Sequence, residues 1–179
     1  MTELTRADLP GLFGSFEQDK YGWIHSTPMV VPWLDAMPRT FLLDGFTGDP
    51  RPEDFFQAIW NFLGNSQKTL TDASAPLLLY SRDGQEHDPD LEPLSLETVW
   101  DHVRIGTEIM VERRSRGDQA IYLSIESGCE WEEEHGLQLI FREGRTITKL
   151  GQYDSHLTNS DAFGNSAYED VVYVSLDML

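Results

Sequence analysis

Ile121, Leu123 and Ile125 alternate with Tyr122, Ser124 and Glu126. That is period two, and it predicts a strand with one buried face. The same alternation returns at Leu137, Leu139 and Phe141. Glu143-Gly144 then reads as a tight turn, and Ile147 and Leu150 resume the pattern. Upstream, Glu108 to Glu126 reads as two strands joined at Ser115 to Asp118. VVYVSL, from Val171, reads as a last strand. Consecutive strands with short links predict an antiparallel meander.

The first half of the chain has a different rhythm. GLFGSFEQDKYGWIHS reads as a hairpin. Leu12, Phe13 and Phe16 lie on one arm and Tyr21, Trp23 and Ile24 on the other, with Gln18, Asp19 and Lys20 as the loop. MVVPWL is apolar, but Pro32 removes a ladder donor, so it reads as an edge strand or extended segment. Arg39 to Phe46 reads as a strand. Phe55, Phe56, Ile59, Trp60 and Leu63 recur at helical spacing after Pro52, Glu53 and Asp54, and Gly64 ends them. Leu70 to Ala75 reads as helical, with Pro76 ending it and Leu77 to Ser81 as a buried strand. Arg82 to Pro93, with His87, reads as an acidic surface loop. SLETVWDHV reads as a short helix with Leu96, Val99, Trp100 and Val103 on its apolar face. The expectation is a single α+β domain over 1–179. Residues 1–94 form a hairpin and helix portion, and 95–179 carry the meander, with two or three helices packed on one side.

Charge changes what the surface can do. Thirty-one acids oppose thirteen Lys and Arg, a formal charge of −18. Such a surface repels nucleic-acid phosphates and anionic membranes, and it attracts a basic protein. The single cysteine permits no internal disulfide. MTELTRADLPGLFG has no basic and apolar signal pattern, and no stretch approaches a spanning helix, so a cytoplasmic location is expected.

CEWEEEHGLQLIF concentrates the candidate chemistry. A loop of about ten residues is expected between the strand ending near Glu126 and the one starting near Leu137, and loops of that length often carry function. Cys129 and His135 are metal-ligand types, and Glu132, Glu133 and Glu134 offer oxygens. Asp154 and His156, two apart, share a face on an extended segment. If the two segments adjoin, His135, Asp154 and His156 could hold zinc or another divalent transition metal, with Glu134 as general base. The competing reading is a charged turn, since neither segment has zinc-finger or His-Glu-x-x-His spacing. Cys129 with His135 could form a thiolate pair, but the neighbouring glutamates oppose the thiolate. No nucleophile elbow and no phosphate loop is present.

Thr158, Asn159, Ser160 and Asp161 are turn and cap formers that would hold a long polar loop in one shape. Trp131, Glu132, Glu133, Glu134, His135, Asp154, His156, Asn159 and Asp161 are therefore the candidate contact surface of a non-enzymatic binding protein. Trp131 would be its aromatic anchor if exposed, and a core residue if buried.

Cys129, Glu130, Trp131, Glu132, Glu134, His135, Gly136 and Leu137 follow a Cys-acid-Trp-acid-x-Glu-His-Gly-Leu pattern. Gly151, Asp154, His156, Leu157 and Thr158 follow Gly-x-x-Asp-Gly-His-Leu-Thr, with Ser155 in place of glycine. Over about 95 to 174 the chain resembles a family of uncharacterised bacterial cytoplasmic domains carrying both stretches. Ser127 stands where some of those domains carry a second cysteine. The resemblance implies no established activity. Similar small acidic domains occur among bacterial immunity and toxin-associated proteins, which would make a basic protein the partner and this chain its inhibitor.

Overall fold

The structure, a computed structural model, describes residues 16–85 and 93–178. Its centre is a sheet of nine strands: β1 (Phe16–Gln18), β2 (Ile24–Ser26), β3 (Met29–Val30), β4 (Pro38–Asp44), β5 (Val103–Arg104), β6 (Glu108–Arg113), β7 (Ile121–Cys129), β8 (Glu132–Arg142) and β9 (Thr146–Gly151). The main path runs β1-β2-β4-β6-β7-β8-β9, with β3 on β4 and β5 on β7. The mixed α/β content expected from the sequence is present, but strands are spread along the whole chain. All pairings are antiparallel except β4 with β6, where Thr40 to Asp44 run beside Glu108 to Glu112.

That parallel pair requires a crossover, and the crossover carries α1 (Glu53–Leu63), α2 (Lys68–Thr71) and α3 (Ser74–Gln85). The three helices pack against one sheet face. α1 inserts Phe55, Ile59 and Phe62 into the core, and all three are fully buried. Phe62 meets Phe41, Phe141 and Trp33 edge-on at centroid distances of 6.0, 5.0 and 5.1 Å. Trp60, expected on the apolar stripe, is 52% exposed instead, and Phe62 is the buried residue of that turn.

Three sequence expectations are corrected. Leu77 to Ser81 is helical, not a strand. Pro76 lies in the first turn of α3, where the missing N–H has no intrahelical partner to lose. Ser74, Leu77, Leu78 and Ser81 are buried while Leu79 is exposed, which is helical spacing. SLETVWDHV contributes only a 3-10 turn at Val99–His102, and Leu96 is exposed. VVYVSL is not a strand. The carbonyls of Val171 and Val172 accept from Asn159 Nδ2, so little of the segment is free to ladder onto β9 beyond the Leu150 N–H to Val172 O bond.

The β1–β2 hairpin, the Arg39–Phe46 strand and the meander from Glu108 to Leu150 are present. The loop expected at Arg82 to Pro93 is helical up to Gln85. Its remaining part, with His87, falls largely outside the described residues, as do Leu12 and Phe13. α4 (Asn159–Phe163) follows the sheet, capped by Thr158 Oγ1, which accepts from the Asp161 N–H. No helix among the described residues is long and apolar enough to cross a membrane.

Candidate functional site

The helices leave the other face of the sheet to be covered by something else, and strand parity decides what it shows. Phe41 and Leu43, Ile109 and Val111, and Leu123 and Ile125 point into the helix-side core. Leu42, Asp44, Glu108, Met110, Glu112, Ser124 and Glu126 therefore point to the opposite face. Where Tyr122 of β7 and Ile140 of β8 lie, that face is roofed, because Leu157 packs on both. Over β4, β6, the later half of β7 and the start of β8 it is open, and it forms a groove of about 710 Å³.

Asp44, Glu108, Glu112, Glu126, Glu133 and Glu134 line this groove. Among the described residues no Lys or Arg lines it, and none of these six carboxylates forms an ion pair. Leu42, Met110, Ser124 and Gln138 form the floor. Glu112 stands beside Asp44 in the parallel register. Burial, and then the Asp44 charge, push the Glu112 carboxyl above its ordinary range. The protein thus keeps unbalanced negative charge on a partly buried surface, an arrangement more common at functional sites than at structural ones.

The Glu- and His-rich segment is not a ten-residue loop. Cys129 pairs with Glu132, leaving a two-residue turn at Glu130 and Trp131. Both Cys129 and Trp131 are buried there, which draws the turn onto the core beside Tyr80, with ring centroids 5.9 Å apart. Trp131 is accordingly core and not an exposed anchor. Burial pushes the Cys129 thiol up to about 11, opposite to the shift a nucleophile needs. Glu132 accepts from the N–H groups of His135 and Glu134, both at 3.1 Å. The bond from His135 is the main reason its carboxyl lies below the ordinary range.

The two signature stretches do adjoin. Tyr153 N–H donates to His135 O at 3.3 Å, and Tyr80 Oη donates to Gly136 O at 2.7 Å. Glu133, Glu134, His135, Tyr153 and Ser155 share the groove rim. Of the expected metal set, Asp154 is otherwise engaged. Asp154 accepts from Lys149, a lysine almost fully buried, which also donates to Gln138 Oε1 at 3.0 Å and His156 O at 3.1 Å. Burial holds that ammonium below the usual lysine range, with Asp154 opposing the shift. The His135 and His156 side chains are about half exposed. Among the described residues no three His, Cys, Asp or Glu side chains converge as a metal site.

Asn159 and Asp161 face inward. Asn159 is buried on the 171–172 carbonyls, and Asp161 binds Arg114. Arg114 is 4% exposed and also bonds Glu169 and Thr158, so it anchors the α4 segment. Ser155 has a φ of +62°, the left-handed region that favours glycine, and it occupies the position where the resemblance calls for one.

The chain matches the family described as a domain of unknown function, DUF6985, over residues 12–157. It belongs to that family. The match takes in every groove residue and both rim segments, from the first hairpin to Leu157. No curated protein and no solved structure matches the chain. The groove carboxylates Asp44, Glu108, Glu112 and Glu126 were missed in the sequence reading. A signal exists on β6 alone, where Glu108 and Glu112 flank Ile109-Met110-Val111 and so share the face opposite Ile109 and Val111.

Proposed function

We propose that this chain is a non-catalytic binding protein whose open, acidic sheet face takes a basic segment of a protein partner. The observation that carries this is the groove of about 710 Å³, lined by carboxylates without ion-pair partners among the described residues. A cationic segment would neutralise charges that otherwise repel one another. The net charge of −18 would steer it in from a distance. The His135 rim belongs to this surface. Trp131, Asn159 and Asp161, held by the core, the 171–172 carbonyls and Arg114, lie outside it. An inhibitor of a basic protein, acting by occupying that protein's own cationic site, fits the same geometry.

The test is calorimetric titration with a short cationic peptide at low and moderate salt. Replacing Glu108, Glu112 and Glu126 together with glutamine should weaken binding at least about tenfold, taking each rim carboxylate at roughly 0.5 kcal/mol. The control neutralises Asp72, Glu97 and Asp101, which lie on the helix side of the molecule away from the groove. Equal losses in the two triple variants would mean that the peptide senses bulk charge only, and the groove would lose its role.

A further inference from the structure

At one end the acidic groove runs into the tip of the β1–β2 hairpin. Trp23 immediately precedes Ile24, which pairs with Leu43, and Asp44 immediately follows Leu43. Ile24 and Leu43 are buried on the helix side, so Trp23 and Asp44 continue their strands on the open face. Tyr21, Trp23, Asp44, Gly45 and Thr47 line a notch of about 330 Å³, and Asp44 belongs to both notch and groove.

The tip is braced yet displays its aromatics. The Asp19 carboxylate accepts from the Tyr21 and Trp23 N–H groups at 2.8 and 2.9 Å. Asp19 N–H donates to Trp23 O at 2.8 Å, and Gln18 Nε2 donates to Gly22 O at 3.2 Å. These bonds fix the turn without burying its rings. Tyr21 remains 75% exposed and Trp23 37% exposed. Exposed aromatics on a rigid turn lose little conformational freedom on binding, and Trp and Tyr dominate interface hot spots. A cation already uses one ring face, since Lys20 Nζ lies 4.7 Å from the Tyr21 centroid.

We infer that the hairpin tip and the Asp44–Glu112 pair together form an arginine-selective subsite for the basic partner. This rests on the groove reading above and adds the side chain that the groove prefers. A planar guanidinium can stack on an indole or phenol while its edge donates to carboxylates, whereas an ammonium has no flat face to stack. Asp44 beside Trp23 offers both contacts within one side chain's reach.

The experiment compares two peptides identical except that one carries arginines where the other carries lysines. Each is titrated into the full chain and into Trp23→Ala and Tyr21→Ala variants, with circular dichroism confirming that each variant folds. Trp23→Phe keeps a ring face if the alanine variant fails to fold. The wild-type chain should bind the arginine peptide about five-fold tighter, from one stacked contact at an exposed site. Trp23→Ala should bring the two peptides near parity, and Trp23→Phe should retain part of the preference. Equal affinities in the wild type, or a preference that survives Trp23→Ala, overturns the subsite. The groove would still stand if the Glu108, Glu112 and Glu126 triple variant lost affinity for both peptides. Failure of both peptides to bind overturns subsite and groove together.

Discussion

Gly144→Ala should be among the costliest single-methyl changes in this chain. Gly144 sits in the β8–β9 turn with φ +68°, and that turn docks on α1. A Cβ there would lie 2.0 Å from Ala58 O, 2.9 Å from the Ala58 carbonyl carbon and 3.0 Å from Phe62 N. All three are helix backbone, so no side chain can swing aside. The turn would have to retreat from the helix and break the bonds from Asn61 Nδ2 to Glu143 O at 2.9 Å and from Asn65 Nδ2 to Gly144 O at 3.0 Å. The left-handed backbone costs alanine about 1 kcal/mol net of glycine's extra chain entropy. Two lost hydrogen bonds add about 1 kcal/mol each. The total is about 3 kcal/mol, or roughly 6–12 °C in Tm for a domain of this size. Gly164→Ala is the internal control. Its φ is +62°, but nothing lies within 4 Å of the added methyl, so only the backbone cost of about 1 kcal/mol applies. Urea unfolding of both variants gives the comparison. Equal losses, or a loss under about 1 kcal/mol for Gly144→Ala, would refute the argument that the turn is clamped to α1.

Glu112→Gln should stabilise the free protein at neutral pH. The carboxyl of Glu112 is raised by burial and by Asp44, so its favourable contribution is complete in acid and is lost as pH rises through its folded value. Glutamine removes the repulsion of a side-by-side like-charge pair, about 0.5–1 kcal/mol, and the gain in urea midpoint should shrink toward zero below the ordinary carboxylate range. Arg114→Ala should cost about 3 kcal/mol, because it strands Asp161 and Glu169 around a buried site. Both acids are held below their ordinary range by Arg114, so their contribution is present above that range and lost as pH falls through the lowered values. Acid unfolding of the variant should therefore be shallower than that of the wild type, with early hydrogen exchange confined to residues 158–171.

Strands β6 to β9 were legible because one face is apolar without interruption, and period two survives wherever a sheet has one core-facing side. α1 was legible for the corresponding helical reason, except at Trp60. Phe62, two residues on, shares the i, i+4, i+7 face of Phe55 and Ile59, and its contacts with Phe41 and Phe141 bury it while Trp60 is left outside. Leu77 to Ser81 was not legible, since five apolar-leaning residues after a proline fit either element and Pro76 starts helices as readily as it ends them. The last apolar run, from Val171, looked like a strand but met the Asn159 amide before it met a neighbour. For the site, adjacency of the 132–135 and 153–156 stretches was only a condition of the sequence argument, because their Glu, Asp and His content says nothing about which strands bring them together. The remaining groove acids depend on β4 lying beside β6, a parallel contact that no local pattern announces.

That parallel contact also divides the way the chain can assemble. β6 to β9 close through short hairpins, each sealing a small loop, and they can zip up from within. β4 must find β6 after the whole helical crossover has been drawn in, so the seam between them is expected to close last. Pulse-labelled refolding should protect amides of 121–142 ahead of those of 39–43. Because Asp44 and Glu112 meet across that seam, the acidic groove would come into being at the final step, and partly folded chains would carry the acids without the cleft.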